Sequence, residues 1–190
     1  MSNFTLSTAR LKIRSWRQSD SEPYASINAD PRVREFLGDP LTRLQSDAQI
    51  REFDRHERRH GFTFWAMEIP NVKPCIGFVG LQRTDYESHF TPAIEIGWRL
   101  DPSCWGHGYA TEGASAVLRH AFEKLGLEEV VAVTVPQNVK SQSVMKRLGM
   151  TYSPEDDFDH PEEETGHPLQ RSVLYRIRRD QFVTKIVRSR

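Results

Sequence analysis

The chain has 190 residues, and its 26 Lys plus Arg balance its 26 Asp plus Glu, a formal net charge of zero. That length suits one domain, 1–190, with a sizeable core, and the even charge points neither to nucleic acid nor to a membrane surface. No run of about 18 apolar residues is present to cross a bilayer, and Met1–Arg10 lacks the order of a secretory leader. Cys75 and Cys104 are too few and too far apart for a disulfide framework or a zinc site, and read as small buried residues. The expectation is a cytoplasmic protein that holds no metal.

Ala9–Trp16 alternates Leu11 and Ile13 against Lys12 and Arg14, the period of a strand with one wet face. Ser19-x-x-Glu22 has the form of a capping box, with Pro23 in the first turn of a helix running to Asn28. Pro31–Leu37 adds further helical turns. Ser46-x-x-Gln49 reads as a second capping box, opening a helix to His60. Ile50, Phe53 and Glu57 form its thin inner face, and Arg51, Arg55, Arg58 and Arg59 a solvated one. Gly61 stops that helix. Phe62–Ile69 and Cys75–Arg83 have strand composition on either side of a turn at 71–74. Gly77 and Gly80 mark a bulge or a close backbone approach. Tyr86–Pro92 is a loop.

Ala93–Leu100 reads as a strand closed by Asp101-Pro102. Then comes Trp105-Gly106-His107-Gly108-Tyr109-Ala110-Thr111-Glu112, and an amphipathic helix starts at once. Its apolar residues Ala110, Ala114, Val117, Leu118, Ala121, Phe122 and Leu125 keep the spacing of one buried face. Strand, glycine turn, helix: that order aims main-chain N–H groups and the positive helix end at one spot, where a phosphate can sit. Gly126 stops the helix. Glu129–Val135 is a β-branched buried strand, and Pro136 breaks its edge. Asn138–Leu148 forms a short helix with Ser141, Val144, Met145 and Leu148 on one face, closed by Gly149. Met150–Ser153 begins another strand, 154–168 is acidic and irregular, and Ser172–Arg178 is a last strand before a basic tail.

Gly108-x-Ala110 behind Trp105 resembles the acyl-CoA pyrophosphate loop of the GCN5-related N-acetyltransferases, whose usual form is Gln/Arg-x-x-Gly-x-Gly/Ala. Trp105 stands at the Gln/Arg position, which keeps the backbone cradle and removes one polar group. The Trp-Gly-x-Gly-Tyr-Ala-Thr-Glu form is similar to the branch that includes ribosomal-protein N-terminal acetyltransferases. A second segment, Asn138-x-x-Ser141 through Leu148-Gly149-Met150, resembles the family's Asn-x-x-Ser/Ala segment. The resemblance covers about Leu11 to Ile177. It implies an α/β (α+β) fold: a mixed, mostly antiparallel central sheet, a splay between two parallel strands, and flanking helices. A dinucleotide fold would need a glycine loop after the first strand, and none is there.

The resemblance also implies the site. Acetyl-CoA, as cosubstrate, enters between Ile94–Leu100 and Val130–Val135. The backbone at Trp98, Arg99 and Leu100 meets the pantetheine, Trp105 to Thr111 hold the pyrophosphate, and Asn138 contacts the pantetheine arm. Lys140, Lys146 or Arg147 either meet the 3′-phosphate or are simply exposed. Glu95 interrupts an apolar strand, and a buried carboxylate with a raised pKa suits it to take the proton of an attacking amine; its other reading is a salt bridge to Arg83 or Arg99. The N–H of Ile96 or Gly97 would serve the oxyanion. Many relatives place a tyrosine where Met145 stands, so Ser141 is the remaining donor to the leaving sulfur, unless none is required.

His56 and His60 share a helix face without a zinc pattern. His89 is a second-rank base, and His160 joins an acidic run that reads as a solvated loop. An acidic rim at 155–164 would favour a cationic amine. The leading expectation is an N-acetyltransferase in which a primary amine, a protein N-terminus or a small molecule, attacks the thioester directly in a ternary complex. The rival is a non-catalytic acyl-CoA sensor or interaction module. A minor third is RNA binding through Arg51–Arg59 and the tail. No membrane or nucleic-acid partner is implied, and a homodimer is compatible.

Overall fold

The computed structural model describes residues 4–182; the end of the expected basic tail, 183–190, lies outside them. Nine strands form β1 (Thr5–Ser7), β2 (Lys12–Arg14), β3 (Phe64–Ile69), β4 (Lys73–Thr84), β5 (Ala93–Leu100), β6 (Glu129–Thr134), β7 (Thr151–Tyr152), β8 (Phe158–Asp159) and β9 (Arg171–Arg178). The helices are α1 (Ser21–Ala29), α2 (Pro31–Arg34), α3 (Arg43–His60), α4 (Tyr109–Glu123) and α5 (Val139–Leu148). The strand order is β1-β2-β3-β4-β5-β6-β9-β7, with β8 on β9. β5 and β6 run parallel, and their pairing comes down to one register pair, Glu95 with Val131. This is the mixed, mostly antiparallel sheet with helices that the sequence led us to expect.

The chain divides into two compact units. One holds the chain up to Gln82 together with Gly97–Val117, and the other holds Arg83–Ile96 and the chain from Leu118 on. In the first, an aromatic core of Trp16, Tyr24, Ile50, Ala66, Cys75 and Phe78 is joined by Phe53 and Phe64. In the second, Val131, Phe158 and Leu174 pack with Tyr86, Phe90, Ala93 and Val133. Gly77 and Gly80 are close-approach glycines. Gly77 has φ +123° and a Cβ there would lie 1.9 Å from the Arg99 carbonyl oxygen, while at Gly80 it would lie 2.0 Å from that of Thr63.

Several local expectations are corrected. Arg14 is not on a wet face: it is 2% exposed and ion-paired to Asp20 at 2.6 Å and Glu68 at 2.7 Å. Ser19 does not cap α1, whose start has no side-chain cap; the box that forms is two residues earlier, around the turn Gln18–Asp20, where Asp20 accepts from the Arg17 main-chain N–H at 2.8 Å. Ser46 does not open α3. Thr42 does, in a capping box with Gln45, and Ser46 is buried a turn later, accepting from Asn28 at 3.1 Å. Glu57 on the inner face accepts from the Trp65 indole at 2.8 Å.

Candidate active site

β5 ends at Leu100, and Asp101 stops it: the carboxylate caps the turn by accepting from Ser103 N–H at 2.8 Å and pairs with Lys73 at 2.7 Å. Trp105 then folds its indole back, donating to the Leu100 carbonyl at 2.9 Å. The tryptophan at this position is therefore a brace that ties the loop to the strand end. It also occupies the Leu100 carbonyl that was expected to face the pantetheine.

Gly106 and Gly108 are left-handed, with φ +78° and +79°, where a side chain would be strained. Among the described residues, the main-chain N–H groups of Gly106, His107, Gly108, Tyr109, Ala110 and Thr111 have no acceptor; the first satisfied one is that of Glu112, bonded to Gly108. A row of unpartnered donors at a helix start is an anion site in electrostatic terms.

Sequence reasoning missed what holds this loop in shape. Glu112 accepts from Thr8 Oγ1 at 2.6 Å, Arg10 N at 2.9 Å and Arg10 Nε at 2.7 Å. Arg10 also donates to the His107 carbonyl at 3.0 Å and lies 4.7 Å over the Tyr109 ring. Burial pushes the Glu112 carboxyl up, but the Thr8 and Arg10 bonds outweigh it and hold it below its usual value. Thr-x-Arg ahead of the first core strand carried no signal of this contact, because its partner is about 100 residues away.

In the second unit Glu95 accepts from Thr84 Oγ1 at 3.1 Å and from the Val133 main-chain N–H. Burial pushes its carboxyl up to about 7, and these two bonds offset only part of that. The salt-bridge reading fails: Arg83 pairs with Asp85, and Arg99 bonds neutral groups of the first unit. Tyr86, which the sequence reading placed only in a loop, has a buried hydroxyl with no partner. Its pKa is raised by burial and then by the Glu95 and Glu162 charges.

Asn138 caps α5, accepting from Ser141 N–H at 3.1 Å and donating to Thr134 Oγ1 at 3.1 Å. One amide hydrogen is left for a ligand. Ser141 is half-buried, and its hydroxyl makes no bond among the described residues. Met145 is buried. His89 sits 3.4 Å from Asp156, and His160 packs on the Tyr86 ring at 4.5 Å. Three carboxylates of the acidic loop have cation partners: Asp156 pairs with Arg176, Asp159 with Arg171 and Glu163 with His167. Among the described residues no cluster of His, Cys, Asp or Glu could hold a metal ion, and no helix is long and apolar enough to cross a membrane.

The model of the acetyltransferase (GNAT) domain family matches residues 10–151. The chain belongs to this family. An uncharacterized N-acetyltransferase of Bacillus subtilis, YnaD, is 41% identical over 145 residues, 76% of this chain and 81% of that one. The FsC-acetyl coenzyme A-N(2)-transacetylase of Aspergillus fumigatus is 31% identical over 164 residues; the match covers 78% of this chain but 65% of that relative's length. The ribosomal L7/L12 α-N-protein acetyltransferase RimL, solved with coenzyme A, superposes with TM-score 0.75 at 16% identity, over 94% of this chain and 99% of that one. At that identity the likeness is one of fold. The family match and this likeness together give the chain the GNAT fold.

Proposed function

We propose that this GNAT chain transfers the acetyl group of acetyl-CoA to a primary amine by direct attack in a ternary complex. The observation that carries the reading is Glu95, a carboxyl pushed up to about 7 on the strand ahead of the glycine loop. An acceptor amine arrives as an ammonium, and a carboxylate titrating near neutrality takes its proton at little cost in driving force. The nitrogen lone pair then forms the new C–N bond, the thioester C–S bond breaks, and the sulfur leaves with the electron pair and takes up the second N–H proton, giving the free thiol and the amide. The unpartnered N–H groups from Gly106 to Thr111 support a pyrophosphate cradle, with Trp98 and Arg99 on the strand before it. The unbonded Ser141 hydroxyl supports a hydrogen bond to the departing sulfur. A cytoplasmic setting fits a coenzyme of that compartment.

The test is thiol release from acetyl-CoA over N-terminal peptides, polyamines, aminoglycosides and amino acids, with Glu95→Gln alongside. Turnover that the variant loses while still binding coenzyme supports the reading. Coenzyme binding with no turnover on any amine would turn it to the acyl-CoA sensor.

A further inference from the structure

The first unit treats two kinds of arginine differently. Arg14 is buried with two carboxylates at 2.6 and 2.7 Å, as a structural cation should be. Arg34 and Arg99 have none. Arg34 is 9% exposed and donates to two main-chain carbonyls, those of Asp39, at 2.9 Å, and Leu37. Arg99 is half-buried, and its bonds all leave from one nitrogen: Nη1 donates to Asn28 Oδ1 at 2.7 Å, Gln49 Oε1 at 3.2 Å and the Tyr24 hydroxyl at 3.3 Å. Asn28 and Tyr24 are themselves 0% exposed, so α1 and α3 hold this nitrogen rigidly. The Arg99 guanidinium lies 5.2 Å over the Phe78 ring, and its Nε is buried without a partner. Nη2 also makes no hydrogen bond among the described residues.

Two cations are thus close enough to oppose each other. Arg34 is held below its ordinary value, first by burial and then by the Arg99 charge; the Asp39 charge offsets part of this. Enclosing a guanidinium without a counter-anion costs several kcal/mol, and a fold that pairs Arg14 so completely has the means to avoid it. Nε and Nη2 form one edge of the guanidinium, the fork that matches a carboxylate with two parallel hydrogen bonds. Nη1, the only nitrogen with bonds, points away from that edge.

We propose that the Nε–Nη2 edge of Arg99 binds a carboxylate of the acceptor, so that the acceptor is an amino acid or a similar amine bearing a carboxylate. This rests on the acetyl-transfer reading of Glu95 and narrows its substrate class. It differs from the cationic acceptor that the acidic loop suggested, three of whose carboxylates, Asp156, Asp159 and Glu163, pair with Arg176, Arg171 and His167.

The experiment uses matched pairs, each amino acid with its decarboxylated amine (lysine with cadaverine, phenylalanine with phenethylamine, and so on through the proteinogenic set), titrated calorimetrically into the protein saturated with coenzyme A. Inorganic phosphate and acetate are titrated as free anions. At least one amino acid should bind about 10- to 100-fold tighter than its amine, the range of charge-assisted bonds to one carboxylate. Arg99→Met should erase that gap, and Arg99→Lys should restore only part of it. The gap in the unaltered protein is informative even if the methionine variant fails to fold. No carboxylate preference in any pair, or a preference that survives Arg99→Met in folded protein, overturns the proposal. So does phosphate or acetate binding as tightly as the best amino acid, which would mark a free-anion site. Thiol release on amines irrespective of a carboxylate would overturn this inference and leave acetyl transfer standing. Absence of thiol release on every amine would overturn acetyl transfer, with the matched pairs still deciding the carboxylate site.

Discussion

On the proposed reading, the environment of one side chain, Glu95, governs proton transfer. Its carboxyl must be ionised to accept a proton, so the rate should climb as pH rises through about 7 and level off above it. Glu95→Gln should cut kcat by about 100-fold or more and abolish that limb, while coenzyme binding persists. A profile with the same inflection in the variant would assign it to another group. The raised pKa carries the opposite sign for stability: ionising an enclosed acid is harder than ionising it in the unfolded chain. Its contribution therefore declines as pH rises from about 4.5. A second residue-scale expectation concerns Gly77. With φ +123° and a Cβ that would sit 1.9 Å from the Arg99 carbonyl oxygen, Gly77→Ala forces β4 and β5 apart. Urea denaturation should show a loss of about 2 kcal/mol or more, where Gly61→Ala, which meets nothing within 4 Å, should lose less.

At the scale of elements, the loop into α4 is shaped by neighbours as much as by its glycines. Removing Glu112 leaves Arg10 and Thr8 without their acceptor and frees the row of amides to move. Glu112→Ala should weaken coenzyme binding by about tenfold, with kcat at saturating coenzyme little changed, a loss of preorganisation. Titration calorimetry with coenzyme A reads this directly, and an unaltered Kd would show that the brace is dispensable. The elements differ in how far their sequence disclosed them. β5 has the expected bounds, Ala93–Leu100, and α4 and α5 start within a residue or two of expectation, because the strand composition, glycine stops and helical spacing all agree there. Ser19 and Ser46 misled because capping-box spacing recurs by chance; the boxes that form are Arg17 with Asp20, on the turn before α1, and Thr42 with Gln45. Arg14 looked wet because alternation assigns a face but not what covers it. The loop glycines were legible, being local. The Glu112–Arg10 brace and the bare fork of Arg99 were not, since each depends on contacts between distant stretches.

For the molecule as a whole, Arg14 with Asp20 and Glu68 is the buried charge network of the first unit, and Arg176 with Asp156 and Glu129 a more exposed one in the second. The Arg14 bond holds Glu68, and the Arg176 bond holds Asp156, below their usual values. Depressed carboxylates stabilise the fold above their ordinary range and lose that contribution as pH falls through it, so the melting temperature should drop below about pH 4. Arg14→Met should cost about 3–5 kcal/mol at neutral pH, whereas Arg55→Met, which breaks an exposed pair with Glu52, should cost under about 1 kcal/mol. Equal denaturation midpoints for the two variants would contradict this ordering.

The indole that Trp105 folds onto the strand end has an optical corollary. Of the four tryptophans, Trp16 and Trp65 are sealed at 8% and 0% exposure, while Trp98 and Trp105 are half-open on the stretch proposed above for the coenzyme. Steady-state emission quenchable by acrylamide should therefore come from those two, and acetyl-CoA should shield it. Occupancy could then be followed without a label, and a Trp105→Phe variant would tell which of the pair reports it.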